Sequence, residues 1–451
     1  LKSLVMLLQA VLTDVGARCS VSTTRDYNTI TSRVKDEGLS FLTITLPSFA
    51  SDLQKGLEQG KVDRDMFAGF SFHAGLPRFL GGFLDLVFDR ASGLLLDAPD
   101  EDAIFAIRQC SMLFGKLEGN CTPYRVRKAI RKYIECEQIV KDSDAKRTPE
   151  MISHFKSASA RLFGDVMMKV EQDLTLFRHV PKHGPGATAD KLKGNLKYNQ
   201  FTWPDRLEEY FPSGEFLLAS WRYIHLLDDV RYLEPGAEIP ARLVSVPKTL
   251  KTPRLIAIEP AAMQYAQQSL LERLVMRLES RDDNHLPNLV GFEDQSLNKD
   301  MARVGSFTGT YATLDLSDAS DRVSNQLVRE MTSWLPYLYG SLQASRSRKV
   351  DVPGHGVIRL AKFASMGSAV CFPIEAMVFA TIVLIGVERQ LSKRLTHDEL
   401  ISIMGQVRIY GDDIIIPVEY AQSVVGALAD FGLQVNVSKS FWTGKFRESC
   451  G

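Results

Sequence analysis

Apolar residues recur every three to four positions through much of the first 160 residues, as in Ser51–Gln59 and Glu101–Leu113. That period predicts amphipathic helices. The rhythm breaks at His183-Gly184-Pro185-Gly186 and again at Glu234-Pro235-Gly236, both rich in turn residues. A loose polar stretch follows at Ser280–Asn288. From about residue 310 the pattern becomes mixed. Tyr311–Leu316 predicts a short strand and Asn325–Leu335 a helix. Pro373 suits the first turn of a long apolar helix running through Ile385. Val407–Tyr410 and Asp413–Ile416 predict two strands joined by a tight Gly411-Asp412 turn. Ala421–Phe431 predicts a helix stopped by Gly432, and Leu433–Val437 a last strand. Strands interleaved with helices imply an α+β layer, with helices on one face of an antiparallel sheet. No repeat of roughly 20–50 residues is visible, which argues against a solenoid.

Composition narrows this only a little. The chain has 451 residues, 45% of them apolar and 24% charged, which excludes wholesale disorder and a disulfide-stapled miniprotein. At about 100–200 residues per domain, two to four domains are expected. The 54 basic residues balance 54 acidic ones, so net charge neither favours nor excludes nucleic acid. The six cysteines are scattered without a C-x-x-C pair, which fits a reducing compartment and supports no zinc cluster. The longest apolar stretch, Ala376–Val387, is 12 residues bounded by Glu375 and Glu388. It is too short to span a bilayer and reads as a buried core helix, so no membrane association is expected. Leu4–Leu12 is broken by Gln9 and makes a poor signal peptide. The chain opens at Leu1 and stops at Gly451 inside a segment without terminal character, which reads as a truncation.

Three segments carry chemistry. Tyr410-Gly411-Asp412-Asp413 places two carboxylates at a hairpin tip between apolar strands. Such a pair is a hard-oxygen site for Mg²⁺ or Mn²⁺, because adjacent anions are costly unless a cation neutralises them. A solvated turn is the alternative, since Gly and Asp are common turn residues. Asp315 ends the predicted strand between Leu314 and Leu316, where a carboxylate needs a partner. Helix capping accounts for part of the Ser317-Asp318-Ala319-Ser320-Asp321 cluster beside it, but least for Asp315. Three carboxylates from separate strands suit two-metal phosphoryl transfer. Lys248, Lys251 and Arg254 form a basic run held extended by Pro247 and Pro253, able to grip a triphosphate or to be a plain solvated strand. Arg346, Arg348 and Lys349 form a similar cluster suited to template phosphates. Arg125, Arg127, Lys128, Arg131 and Lys132 read better as a solvated helical face. Ser365-Met366-Gly367-Ser368 is a small-residue loop before the long helix. Basic run, strand-end Asp, Gly loop with helix, then Gly-Asp-Asp hairpin is the order of parts in a palm-type polymerase.

In Pro247–Pro260, Leu314–Ser324, Ser365–Ala380, Tyr410–Pro417 and Phe446–Gly451, the chain resembles the RNA-directed RNA polymerases of positive-strand RNA viruses. It resembles most the replicase catalytic subunit of the single-stranded RNA bacteriophages, the levivirus type. Asp26-Tyr27-Asn28 through Pro47-Ser48-Phe49 and His183–Ala187 extend the likeness over nearly the whole chain. The resemblance implies a right-hand polymerase: N-terminal region and fingers over 1–240, fingers with the basic segment over 241–300, and a palm over 301–445. Residues 446–451 would begin a thumb that is largely missing, which puts the activity of this chain in doubt. Asp315, Asp412 and Asp413 would bind two Mg²⁺ ions, with Mn²⁺ as a substitute. Lys248, Lys251 and Arg254 would contact the incoming NTP. Asp321 and the loop with Ser365 and Gly367 would sense the ribose 2′-hydroxyl and seat the template–NTP pair. Lys439 is a candidate for protonating pyrophosphate, with a plain surface lysine as its alternative. Implied partners are RNA template and product, NTPs and host translation factors, in the host bacterial cytoplasm. A reverse transcriptase is the first rival, but it would carry a bulky aromatic after the strand-end Asp, and Ser317–Ser324 has none. A non-catalytic RNA-binding protein with a degenerate palm is the second.

Overall fold

A computed structural model describes residues 1–281 and 285–450. The middle of the loose polar stretch and the last residue of the Phe446–Gly451 match lie outside the described residues. The chain divides into two compact units. The first contains Leu1–Ala129, Ser245–Arg254 and Thr443–Phe446. The second contains Ile130–Val244, Leu255–Trp442 and the residues from Arg447.

The first unit is mainly helical, as the apolar period requires. Helices Lys2–Arg18, Thr24–Glu37, Leu46–Gln59 and Glu101–Met112 bury Leu8, Ile30, Leu53 and Ile107 in one core. Phe49 stands at its centre, with ring centroids 4.5 Å from Phe67 and 5.4 Å from Phe79. Asp26 is buried against this core and accepts a 2.6 Å hydrogen bond from the Leu80 amide. Burial pushes its carboxyl up from 3.8 to about 6, although the Leu80 bond and Arg25 oppose the shift. The folded state therefore holds a proton that the unfolded chain releases. Stability from this group is full below pH 3.8 and lost as pH rises to about 6, at about 1.4 kcal/mol per pH unit. Asp26→Asn is expected to flatten that loss. Urea unfolding at pH 4 and pH 7.5 should show the variant gaining on the parent at the higher pH, by about 3 kcal/mol at most.

In the second unit, the helix Cys371–Leu391 is buried from Cys371 to Glu388 along nearly every position. By length and composition alone it could cross a membrane, but 94% of its most apolar window is buried inside the unit. It outruns the expected Pro373–Ile385 span because Glu388 is satisfied inside the fold. Arg161 approaches its carboxylate to 2.8 Å, His154 to 3.1 Å, and the Leu395 amide donates at 2.8 Å. The helix packs on Ala421–Asp430 so closely that a Cβ on Gly386 would stand 2.7 Å from Val424 Cα. The helix Pro149–Thr175 also packs on it and brings Phe155, Phe163 and Val170 into the same core.

A three-stranded antiparallel sheet lies in this core, in the order Arg408–Tyr410, Asp413–Pro417, Tyr311–Asp315. Its strands match the expected ones within a residue or two. The expected last strand, Leu433–Val437, does not form. Val435 makes one isolated bridge to Leu316, and Val437–Lys439 is a 3-10 turn. Two backbone bonds flank the bridge, from Ser317 N–H to the Gln434 carbonyl and from Asn436 N–H to the Asp315 carbonyl at 2.8 Å each, but the Asp315 amide turns to Ser440 Oγ at 3.0 Å, which interrupts the ladder. The expected helix Asn325–Leu335 ends at Thr332, because Leu335 precedes Pro336 and is driven to an extended conformation. A second sheet, ordered Arg254–Ile258, Ala241–Val246, Lys349–Val352, Gly356–Arg359, was not foreseen. Its Ala241–Val350 pairing is parallel, so the sheet is mixed rather than antiparallel. The whole is α+β.

Candidate active site

The hairpin register brings the acids together. Asp413 stands directly opposite Asp315 on the neighbouring strand, and opposite Tyr410 on the other side. Asp412 precedes it in the turn, where its carbonyl accepts the Leu316 amide at 3.3 Å. Gly411 is required twice over. Its φ is +58°, and a Cβ would meet the Phe372 ring at 2.5 Å. Phe372 packs edge-on against Tyr410 and Phe292, with centroids 5.5 and 5.7 Å away. Buried Arg408 braces the strand by donating to the carbonyls of Pro287 and Val290 at 2.5 and 2.9 Å.

Burial raises the Asp413 carboxyl to about 6, and the negative charges of Asp412 and Asp315 add to the rise. Asp315 is held differently. Lys439 Nζ lies 3.1 Å from one carboxylate oxygen and Asn436 Nδ2 3.1 Å from the other. Lys439, the candidate proton donor, thus pairs with the acid itself; burial pulls its pKa down, but Asp315 together with Asp412 and Glu448 leaves it raised. Among the described residues no three His, Cys, Asp or Glu side chains are drawn tightly enough to cage a metal as they stand. The donor chemistry nevertheless fits a hard cation: three carboxylates at two strand ends and the adjoining turn, with half-buried Asp413 repelled by both others. Glu375 on the long helix is a further acid that the pattern did not single out. It is buried, and desolvation together with the Asp412 charge raises its pKa well above the usual range. In the sequence it reads only as the polar edge of an apolar run.

Asp321 joins a separate buried network. Lys362 Nζ lies 2.9 Å from Asp321 Oδ1 and 2.9 Å from Glu137 Oε1, and 3.5 Å from the centroid of the Tyr133 ring. Tyr133 in turn bonds Ser365 Oγ at 2.8 Å. Ser368 donates to Gln267 Oε1 at 3.0 Å. Gly367 has φ +122°, and a Cβ there would fall 2.2 Å from the Ala257 carbonyl oxygen. This loop is therefore fixed by its own protein partners. Lys362 carries no local signal and looks like an ordinary charged residue between Ala361 and Phe363.

The basic run lies in the first unit and the carboxylates in the second. Lys248, Lys251 and Arg254 are exposed, and Arg125 and Cys121 hold the backbone carbonyls of Leu250 and Thr249. Arg346 corrects an expectation. It is buried and donates to the carbonyls of Phe363 and Lys362 at 2.9 Å each, so it braces the chain rather than facing a template.

Parts of the chain are similar to known proteins. Residues 237–451 match the family described as "RNA replicase, beta-chain". The chain is similar in sequence to the RNA-directed RNA polymerase beta chains of several bacteriophages. It is 30% identical over 349 residues to that of Enterobacteria phage fr, covering 74% of this chain and 59% of the relative. With that of Escherichia phage MS2 it shares 37% identity over 207 residues, 46% of this chain and 34% of the relative. With the RNA-directed RNA polymerase subunit beta of Escherichia virus Qbeta it shares 33% over 210 residues, 47% of this chain and 32% of the relative. The chain thus spans from a third to about six tenths of the length of these relatives. Among solved structures, the RNA-dependent RNA polymerase of a human picorbirnavirus aligns with a TM-score of 0.32 and 14% identity, over 45% of this chain and 40% of that one.

Proposed function

We propose that this chain carries the catalytic centre of an RNA-directed RNA polymerase that copies a viral positive-strand genome. The observation that carries the reading is the register that sets Asp315 opposite Asp413, with Asp412 in the adjoining turn. Residues 301–445 act as the palm and the preceding regions as N-terminal region and fingers. Asp315, Asp412 and Asp413 would hold two Mg²⁺ ions, which when bound activate the attacking 3′-hydroxyl and neutralise the leaving pyrophosphate. Before the ions bind, Lys439 and Asn436 orient the Asp315 carboxylate. Asp413 gives up its proton above about pH 6 and completes the anionic set. Lys248, Lys251 and Arg254 neutralise the triphosphate of the incoming NTP. Asp321, held by Lys362, lies on the segment that reads the ribose, and a site built to bond a hydroxyl rejects the deoxy analogue strongly. RNA template and product, NTPs and host translation factors are its partners, in the cytoplasm of the infected bacterium.

The test is incorporation of labelled NTPs against dNTPs on an RNA template with Mg²⁺, by this chain alone and with bacterial host extract. Ribonucleotide preference is expected. Preference for dNTPs would move the reading to a reverse transcriptase. No incorporation in any form, host extract included, would leave a non-catalytic RNA-binding protein.

A further inference from the structure

The second unit contains a cleft of about 700 Å³ that none of the three hairpin and strand-end acids lines. Arg329, Arg348 and Arg359 open into it, beside the amides of Asn325, Gln326 and Gln343. The acids on its wall are already neutralised. Asp144 is held by Arg147 and by Ser324 Oγ, and Glu330 pairs with Lys156 at 3.2 Å. In the adjoining hollow of about 210 Å³, Glu238 is held by Arg206 at 2.6 Å. Among the described residues, the side chains of Arg329, Arg348 and Arg359 have no hydrogen-bond or ion-pair partner.

The charges are also placed at a cost. Lys349 and Arg359 stand directly opposite each other on the hairpin Lys349–Val352 and Gly356–Arg359, and like charges in that position destabilise a strand pair. Arg348 is shifted down by burial and then by the neighbouring positive charges of Arg206 and Arg359, with Glu238 opposing. Like charges gathered around a polar hollow, with the acids that line it engaged by other groups, favour an anionic occupant. Asn325 and Gln343 bond each other at 3.0 and 3.2 Å, and each amide nitrogen keeps a second N–H for a ligand. The two hollows share Arg348 and Arg359, and the smaller adds Lys349. A row of cations along two joined hollows matches successive phosphates of a strand better than one free nucleotide.

We propose that Arg329, Arg348, Lys349 and Arg359 form a groove that binds the phosphodiester backbone of single-stranded RNA, apart from the carboxylate site. The choice of RNA rests on the polymerase reading; the anion site itself does not. The test is a fluorescence-anisotropy titration of the full chain with a labelled oligoribonucleotide of about 12 nucleotides, without divalent ions or NTPs. Catalysis plays no part in that readout, so it stands or falls separately from the incorporation assay. Arg348→Ala/Arg359→Ala is expected to weaken binding about tenfold near 0.1 M salt. It should also make the slope of log K against log salt shallower by about 1.4, at about 0.7 per lost phosphate contact. The matched pair Lys393→Ala/Arg394→Ala, also exposed, should change neither by more than about a fifth of that effect. Equal losses in the two pairs, or no loss in either, would overturn the groove. A parallel titration with ATP separates the sources of phosphate: ATP binding lost with RNA binding intact would make the ligand a free nucleotide and overturn the strand. Circular dichroism checks the fold, and single Arg348→Gln and Arg359→Gln variants, each expected to give half the slope change, carry the test if the double variant does not fold.

Discussion

Asp412→Asn is expected to reduce nucleotide incorporation by at least about a thousandfold, equivalent to about 4 kcal/mol of barrier. The substitution keeps the size and turn-forming character of the side chain, so Gly411 and the hairpin should persist. It removes one negative charge from a site where Asp413 sits directly opposite Asp315. With Asp412 neutral, part of the repulsion that raises the Asp413 pKa disappears, and that group should titrate lower. Two measurements check this. Incorporation on an RNA template reads the catalytic loss, and Mn²⁺ titration of the same variant reads weakened divalent-ion binding. Incorporation that survives the substitution would remove Asp412 from the proposed metal site.

Lys362→Met is expected to lower unfolding free energy by about 3–5 kcal/mol, the loss typical when one partner of a buried ion pair is removed. Lys362 is fully buried and serves two carboxylates at once, Asp321 and Glu137, each at 2.9 Å. Burial pulls its pKa down, yet the charges around it, Asp321 foremost, outweigh that and leave it raised. Without the ammonium, Asp321 and Glu137 face each other's charge with no cation between them. The same Glu137 accepts the Ala361 amide at 2.6 Å, so the strain reaches the backbone beside Lys362. Neutralising all three, as Glu137→Gln/Asp321→Asn/Lys362→Met, should recover part of the loss, because a satisfied neutral cluster avoids stranded charge. Chemical denaturation measures both variants. A loss under about 1 kcal/mol for Lys362→Met would show that the network does not hold the fold as described.

Local chemistry made much of this legible. The short apolar segments Val407–Tyr410 and Asp413–Ile416 around Gly-Asp predict the hairpin, because strand-forming residues and turn residues act over a few positions. The helices Leu46–Gln59, Glu101–Met112 and Ala421–Asp430 follow from apolar period for the same reason. Misplaced boundaries arose where distant groups intervened. Glu388 looks like a polar stop, and only Arg161, His154 and the Leu395 amide make it a buried part of the helix. Leu433–Val437 has a strand's pattern, but Ser440 takes the Asp315 amide that a ladder would have used.

The sequence by itself determined the α+β class, the carboxylate hairpin and the strand-end acid, because each depends on neighbours within about a dozen residues. It could rank Arg346, Arg348 and Lys349 only as one basic cluster. Tertiary structure divided them: Arg346 turned inward to backbone carbonyls, while Arg348 and Lys349 stayed at the surface. The pairing of Asp315 with Asp413, the Lys439 contact, buried Glu375 and the Lys362 network were likewise decided only in three dimensions. Each joins residues tens to hundreds of positions apart, or depends on burial, and neither contact nor desolvation is written in local pattern.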